Sequence, residues 1–200
     1  MYGIVHFPDF LLVSILLILS PGPGTLAILG SSTSSRFSGF AALAGTSVGD
    51  AILMTAAGIG AATILAANPT AFAVLKYGGG GYLAWLGVKS LFSKAEGLAI
   101  SQPEQGGAFR RSLFVTLLNP KAILFFMAFF PQFVAPGASA SAFVVLGIVF
   151  IFINCSYQAL LITGASWIMG HLDAMPQIAL WVNRALGCVF ILFGLRLALA

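Results

Sequence analysis

The chain has 200 residues, 60% of them apolar and 7% charged, with a net charge of +4 and a mean hydropathy of +1.04. A soluble domain carries about 25% charged residues, so a water-facing globule is excluded and the chain reads as an integral membrane protein in contact with a lipid bilayer. The basic residues are scattered and form no clustered face, which argues against a nucleic-acid partner.

A span needs about 20 apolar residues. Six segments reach that length, at 10–30, 40–67, 72–92, 113–134, 142–169 and 178–198. They predict an all-α membrane protein, a single transmembrane domain over 1–200. The first segment is read as a retained span and not a cleaved signal, because Met1–Asp9 holds no Lys or Arg and no clean small-residue cleavage site follows.

Segment one is interrupted by Ser20-Pro21-Gly22-Pro23-Gly24, with no charge for ten residues on either side. Each proline removes a backbone donor and clashes with the preceding turn, and each glycine adds backbone freedom. Within a bilayer such a break is tolerated only where the freed backbone groups face protein or a watery cavity.

Segment two has small residues at four-residue spacing, Ala41, Gly45 and Gly49, then Gly58 and Ala62. Such a stripe lets helix backbones approach closely. Its partner is either another segment of the chain or a second subunit in a homodimer. About ten residues into this segment stands Asp50. A carboxylate near the centre of a span costs about 2.5–3.5 kcal/mol on the insertion scale. It therefore faces a cavity or a partner, as a binding group for substrate or protons or as a structural pair to a cation such as Lys121.

Segment three carries Gly80 and Gly87, then Lys89. Residues 93–112 form the one real linker, a polar central loop holding Lys94, Glu96, Gln102, Pro103, Glu104, Arg110 and Arg111. Segment four has the second break, Asn119-Pro120-Lys121. Lys121 lies near enough to an end either to snorkel or to line a pathway. Asn119 is suited to satisfying backbone carbonyls freed by Pro120, to touching substrate, or to both. In segment five Asn154, Ser156, Tyr157 and Gln158 are the densest neutral polar group. Asn154 and Gln158 share a helix face while Tyr157 sits to one side; the group serves as interhelical glue or as a substrate contact. Segment six carries Gly187 and Gly194, then Arg196.

The halves match. Gly80 and Gly87 with Lys89 correspond to Gly187 and Gly194 with Arg196, the two proline breaks correspond, and Asp50 corresponds to Asn154. Three spans per unit is odd, so residues of about 10–92 and 113–198 form two inverted three-helix repeats, with Pro/Gly-broken helices 1 and 4. In transporters, matched breaks of this kind mark a binding site near mid-membrane. Arg36, Lys89, Lys94, Arg110, Arg111 and Arg184 fall on one side, against Lys76 and Arg196 on the other. The excess predicts a cytoplasmic central loop and both termini outside.

The pathway candidates are Pro21, Gly22, Pro23, Asp50, Asn119, Pro120, Lys121, Asn154, Tyr157 and Gln158. Their chemistry suits a zwitterionic amino acid. A helix restarted after a break offers free N–H groups to a carboxylate, and Asp50 can take the ammonium or alternate between substrate and proton. Cys155 and Cys188 lie in apolar segments with no CxxC or Cys/His pattern, and His6 and His171 lie near segment ends. No metal site, cofactor or disulfide framework is indicated. No nucleophile–base constellation points to an enzyme.

These residues resemble the LysE/RhtB-type amino-acid exporters of bacteria, over almost the whole chain. The marks are Ser20-Pro21-Gly22-Pro23-Gly24-Thr25-Leu26, Gly45-Thr46-Ser47-Val48-Gly49-Asp50-Ala51 and Tyr82-Leu83-Ala84-Trp85-Leu86-Gly87-Val88-Lys89. Phe109-Arg110-Arg111-Ser112, Asn119-Pro120-Lys121-Ala122 and Gly187 with Gly194-Leu195-Arg196 complete them. The resemblance, strongest to leucine- and homoserine/threonine-exporter-like members, implies efflux of amino acids across the inner membrane by exchange for protons. The competing readings are a divalent-metal or other small-solute exporter on a related scaffold and a membrane thiol–disulfide carrier. The first needs several intramembrane His, Cys or carboxylate ligands, of which Asp50 alone qualifies.

Overall fold

The fold is a computed structural model that describes residues 3–20, 22–67, 69–92, 106–135, 137–164 and 176–199. Pro21 and most of the expected central loop, residues 93–105, lie outside the described residues, as does His171.

Helix α1 (Phe7–Leu19) stops at the first break and α2 (Pro23–Ser34) restarts beyond it, bent by 49°. Pro23 opens α2 at the position where a missing N–H costs nothing. Gly22 precedes it with φ −140° and ψ 178°, an extended backbone that any residue adopts, so glycine is not required there by conformation.

The long α3 (Arg36–Ala67) and α4 (Pro69–Leu91) follow. After the central loop, α5 (Ala108–Leu117) and α6 (Pro120–Leu124) meet at the second break, the span bending by 51°. Residues 108–112, expected in the loop, are already helical. Beyond α6 the chain loosens into a π-turn at Phe125–Phe129, then tightens into a 3-10 turn at Phe130–Phe133. Helices α7 (Ala140–Thr163) and α8 (Pro176–Leu199) complete the bundle. Among the described residues there is no strand, only a single bridge between Ile4 and Val134. Arg36–Gly60 and Ala140–Thr163 are long and apolar enough to cross a bilayer, and each bent pair passes the same test as one broken span.

Around the bends lies a phenylalanine core. Phe10, Phe126, Phe129 and Phe130 are fully buried. Phe126 meets Phe150 edge-on with centroids 5.0 Å apart, and Phe10 meets Phe133 at 5.3 Å. The opposite faces, such as Val144, Ile148 and Phe152 on α7, are exposed apolar surface suited to lipid.

The small-residue stripe of α3 is used within the chain. A Cβ on Gly45 would collide with the backbone of Phe109, and one on Gly49 would stand 2.8 Å from Thr116 Cβ. These glycines draw α5 against α3. Gly58 lies against Phe143 of α7, so the stripe supplies no argument for a second subunit.

The glycines singled out in the two halves meet crosswise, Gly87 with Gly187 and Gly80 with Gly194. A Cβ on Gly87 would be 2.6 Å from Gly187 O, one on Gly187 would be 2.7 Å from Gly87 O, and one on Gly194 would be 2.5 Å from Gly80 O. Helices α4 and α8 therefore run antiparallel with their backbones in contact. At the other flank, Val5 N–H donates to Phe133 O (2.9 Å) and Ala135 N–H to Gly3 O (2.8 Å), so the first broken span begins where the second one ends.

Candidate functional site

The stripe that faces inward on α3 runs through Ala42, Thr46, Asp50, Met54 and Ala57, all buried. On α7 a buried stripe recurs every fourth position, Ala142, Leu146, Phe150, Asn154, Gln158 and Ile162, with Gly147 buried beside it. On α5 they are Ser112 and Thr116. Where these three stripes face the two breaks, they enclose a partly open cavity of about 70 Å³, room for roughly five water-sized groups.

The lining is mixed. Thr25, Thr46, Asp50, Thr116, Asn154 and Gln158 are its polar side chains, and Leu17, Ile18, Ala122, Phe126 and Phe150 its apolar ones; Ser20, Gly22, Gly24, Asn119 and Lys121 contribute from the breaks. Of the residues expected from sequence, Gly22, Asp50, Asn119, Lys121, Asn154 and Gln158 come together here. Pro23, Pro120 and Tyr157 do not line it, and Tyr157 packs against the phenylalanine core.

Asp50 is 5% exposed. Its Oδ2 accepts a hydrogen bond from Asn154 Nδ2 at 3.0 Å. Gln158 Nε2 donates to Thr25 Oγ1 at 3.0 Å and, at the 3.5 Å limit, to Asn154 Oδ1. Asn154 and Gln158 form a chain of two amides leading from the carboxylate. Gln158 Oε1 and Thr116 Oγ1 are buried and accept or donate no hydrogen bond.

Lys121 does not pair with Asp50. Its Nζ donates to Ser20 O at 2.8 Å and to Leu17 O at 3.3 Å. The ammonium from the second break thereby caps the carbonyls left open at the C-terminal end of α1, where the helix dipole also favours a cation. It turns inward and does not snorkel to the surface. Asn119 caps the opposite group from the one expected: its Oδ1 accepts from Lys121 N–H at 3.0 Å, serving as the N-cap of α6. Each break is thus closed by polar groups at Asn119-Pro120-Lys121.

Sequence reasoning missed Thr25, Thr46, Thr116 and the apolar lining residues as parts of the site. Thr116 stands four residues after Ser112, and that i, i+4 pair of hydroxyls on one face of α5 was the available signal. Cys155 lies beside Ser47 Oγ at 3.3 Å and Cys188 is exposed; neither lines the cavity.

Broken helices, a lone acid and a polar cavity inside an apolar bundle define a membrane transporter by class. The model of the LysE type translocator family matches residues 15–200, and the chain belongs to that family. It is 34% identical over 204 residues to the leucine efflux protein of Klebsiella pneumoniae subsp. pneumoniae, covering 98% of this chain and 96% of the relative. The leucine efflux protein of Salmonella choleraesuis is also 34% identical, over 205 residues, with the same coverage. An uncharacterized membrane protein of Pseudomonas aeruginosa is 34% identical over 214 residues, covering 99% and 97%. No solved structure matches the chain.

Proposed function

We propose that this protein is a secondary exporter of small neutral amino acids, leucine foremost, which it moves out of the cytoplasm in exchange for protons. The observation that carries the reading is that Asp50 and both helix breaks line one cavity. The ammonium of Lys121 has three donors and uses two on α1 carbonyls. The third, with the open N–H groups at the start of α2, suits a substrate carboxylate. The polar side chains of α7 suit the substrate ammonium, and Leu17, Ile18, Ala122, Phe126 and Phe150 suit an aliphatic side chain. Asp50, the cavity's one acid, is engaged by Asn154, so a basic side chain finds no free carboxylate there. The names of the leucine efflux relatives agree with this substrate class.

The reading includes an inner-membrane protein of six spans in two inverted units, 10–92 and 113–198, joined by a cytoplasmic loop, with both termini outside. The reciprocal contact of Gly87 with Gly187 and the matching contact of Gly194 with Gly80 support it, because a two-fold axis in the membrane plane exchanges these pairs. Lys89 stacks over Trp85 and Arg184 over Trp181 near the Gly87–Gly187 contact, as basic and aromatic residues do at a cytoplasmic interface. The metal-export alternative gains nothing from the cavity: among the described residues no three His, Cys, Asp or Glu side chains gather.

The test is uptake of labelled leucine, threonine and homoserine into inside-out vesicles under an imposed proton gradient. Saturable, gradient-driven leucine uptake is expected, and Asp50→Asn at normal expression abolishes it. Full coupled transport in that variant would remove Asp50 from the mechanism.

A further inference from the structure

Resting on the reading of proton-coupled amino-acid export, we infer that Asp50, Asn154 and Gln158 form a relay that reverses the polarity of the amide offered to substrate. The relay follows from donor and acceptor rules. An ionised carboxylate only accepts, so Asn154 turns its NH₂ towards Asp50, as observed. Its carbonyl then faces Gln158, which must answer with its own NH₂. Gln158 Oε1 is left over, buried and without a partner, on a side chain that lines the cavity. A lone carbonyl acceptor there is a ligand for a primary ammonium.

Protonation of Asp50 inverts every link. The carboxylic acid donates to Asn154 Oδ1, the Asn154 amide turns over, its NH₂ now faces Gln158, and the Gln158 amide turns its carbonyl inward. Thr25 follows without cost in hydrogen bonds, because its hydroxyl accepts from Nε2 in one state and donates to Oε1 in the other. The group left over is then an NH₂ donor, which repels an ammonium. Substrate binds when Asp50 is ionised and leaves when a proton adds to its oxygen. One proton enters from outside and is shed to the cytoplasm, with no other bond made or broken. That is antiport without the acid touching the substrate.

The other charged or titratable groups around Asp50 do not substitute for it. Lys121 lies across the cavity, held on α1 carbonyls. Tyr157 of α7 packs into the phenylalanine core. Arg110 and Arg111 stand at the start of α5, and α2 carries no titratable side chain.

The experiment measures the KM for labelled leucine in counterflow, with equal pH on both sides of proteoliposomes, across a pH series. The parent protein is expected to lose affinity on acidification, KM rising by about tenfold per pH unit below the titration of Asp50, as one linked proton requires. Asn154→Leu cuts the relay while Gln158 and Thr25 remain free to pair either way. Whatever its affinity at neutral pH, its KM is flat with pH, and a proton gradient no longer drives accumulation. Gln158→Met has no amide to invert, so its KM is raised but flat with pH, which covers the case in which Asn154→Leu fails to fold. A pH-independent KM in the parent, or a parental pH profile in either variant, overturns the relay alone. Absence of saturable amino-acid counterflow in the parent overturns the export reading as well.

Discussion

The glycine contact between α4 and α8 yields a quantitative test of how the two halves are joined. A Cβ at residue 87 would sit 2.6 Å from Gly187 O and 2.9 Å from Ile191 N, both backbone atoms that cannot swing aside. Restoring ordinary contact pushes the helices apart by roughly 1 Å, and a gap of that size forfeits a quarter to a half of each dispersion contact across the seam. In lipid no hydrophobic term holds two helices together, so packing loss is felt directly. Over some tens of atom pairs the loss is about 2 kcal/mol, within the range for overpacking. Gly187→Ala forces the same separation, with Gly87 O at 2.7 Å and Leu91 N at 3.0 Å. Once one methyl has parted the helices, the second finds room. Gly87→Ala and Gly187→Ala should each lower stability by about 2 kcal/mol and the double variant by little more than either, a coupling of 1–2 kcal/mol in a double-mutant cycle. Gly81→Ala, where nothing lies within 4 Å of the added methyl, should be neutral or stabilising by about 0.5–1 kcal/mol from helix propensity. Unfolding of the purified protein in detergent, followed by the fluorescence of Trp85 and Trp181 on the two helices, reads all four. Additive losses, or a harmless Gly87→Ala, would refute the packing argument.

Lys121→Met strips two carbonyls at the end of α1 of their donor. It should destabilise the protein by about 1–3 kcal/mol and raise the leucine KM, whereas Lys121→Arg should retain part of both; unfolding and counterflow measure them. Asn119→Ala removes the N-cap of α6 and should cost about 1 kcal/mol, with Asn119→Asp largely restoring it, in the same unfolding assay. Thr116→Val removes a buried hydroxyl that makes no hydrogen bond; its stability should be unchanged, and a rise in KM would mark Thr116 as a substrate contact.

Much of the site was legible because its parts break local rules. A proline pair inside an apolar run and an acid ten residues into a span have no ordinary place in lipid, so Gly22, Asp50, Asn119 and Lys121 announced themselves, and period-four spacing put Asn154 beside Gln158. The glycines matched between halves were legible as a pattern, though the pattern did not say that they would touch. What stayed hidden is nonlocal. Lys121 serves carbonyls about a hundred residues earlier in the chain, and nothing near it in sequence names them. Thr116 is an unremarkable hydroxyl until Gly49 brings α5 against α3. Tyr157, next to Gln158 in sequence, turns to the phenylalanine core because neighbouring helix positions point about 100° apart. The π-turn at Phe125–Phe129 carries no composition signal, since phenylalanine suits a regular helix equally well.

The account stands on the cavity being reached by water and filled by substrate. Its most direct test places a thiol at Ala122, in the cavity lining, in a background with Cys155 and Cys188 replaced. The account predicts that Ala122→Cys reacts with a small hydrophilic methanethiosulfonate reagent and that leucine, but not glutamate or lysine, slows the reaction in proportion to its occupancy. A thiol at residue 122 that stays unreactive, or reacts at one rate with or without leucine, would contradict it.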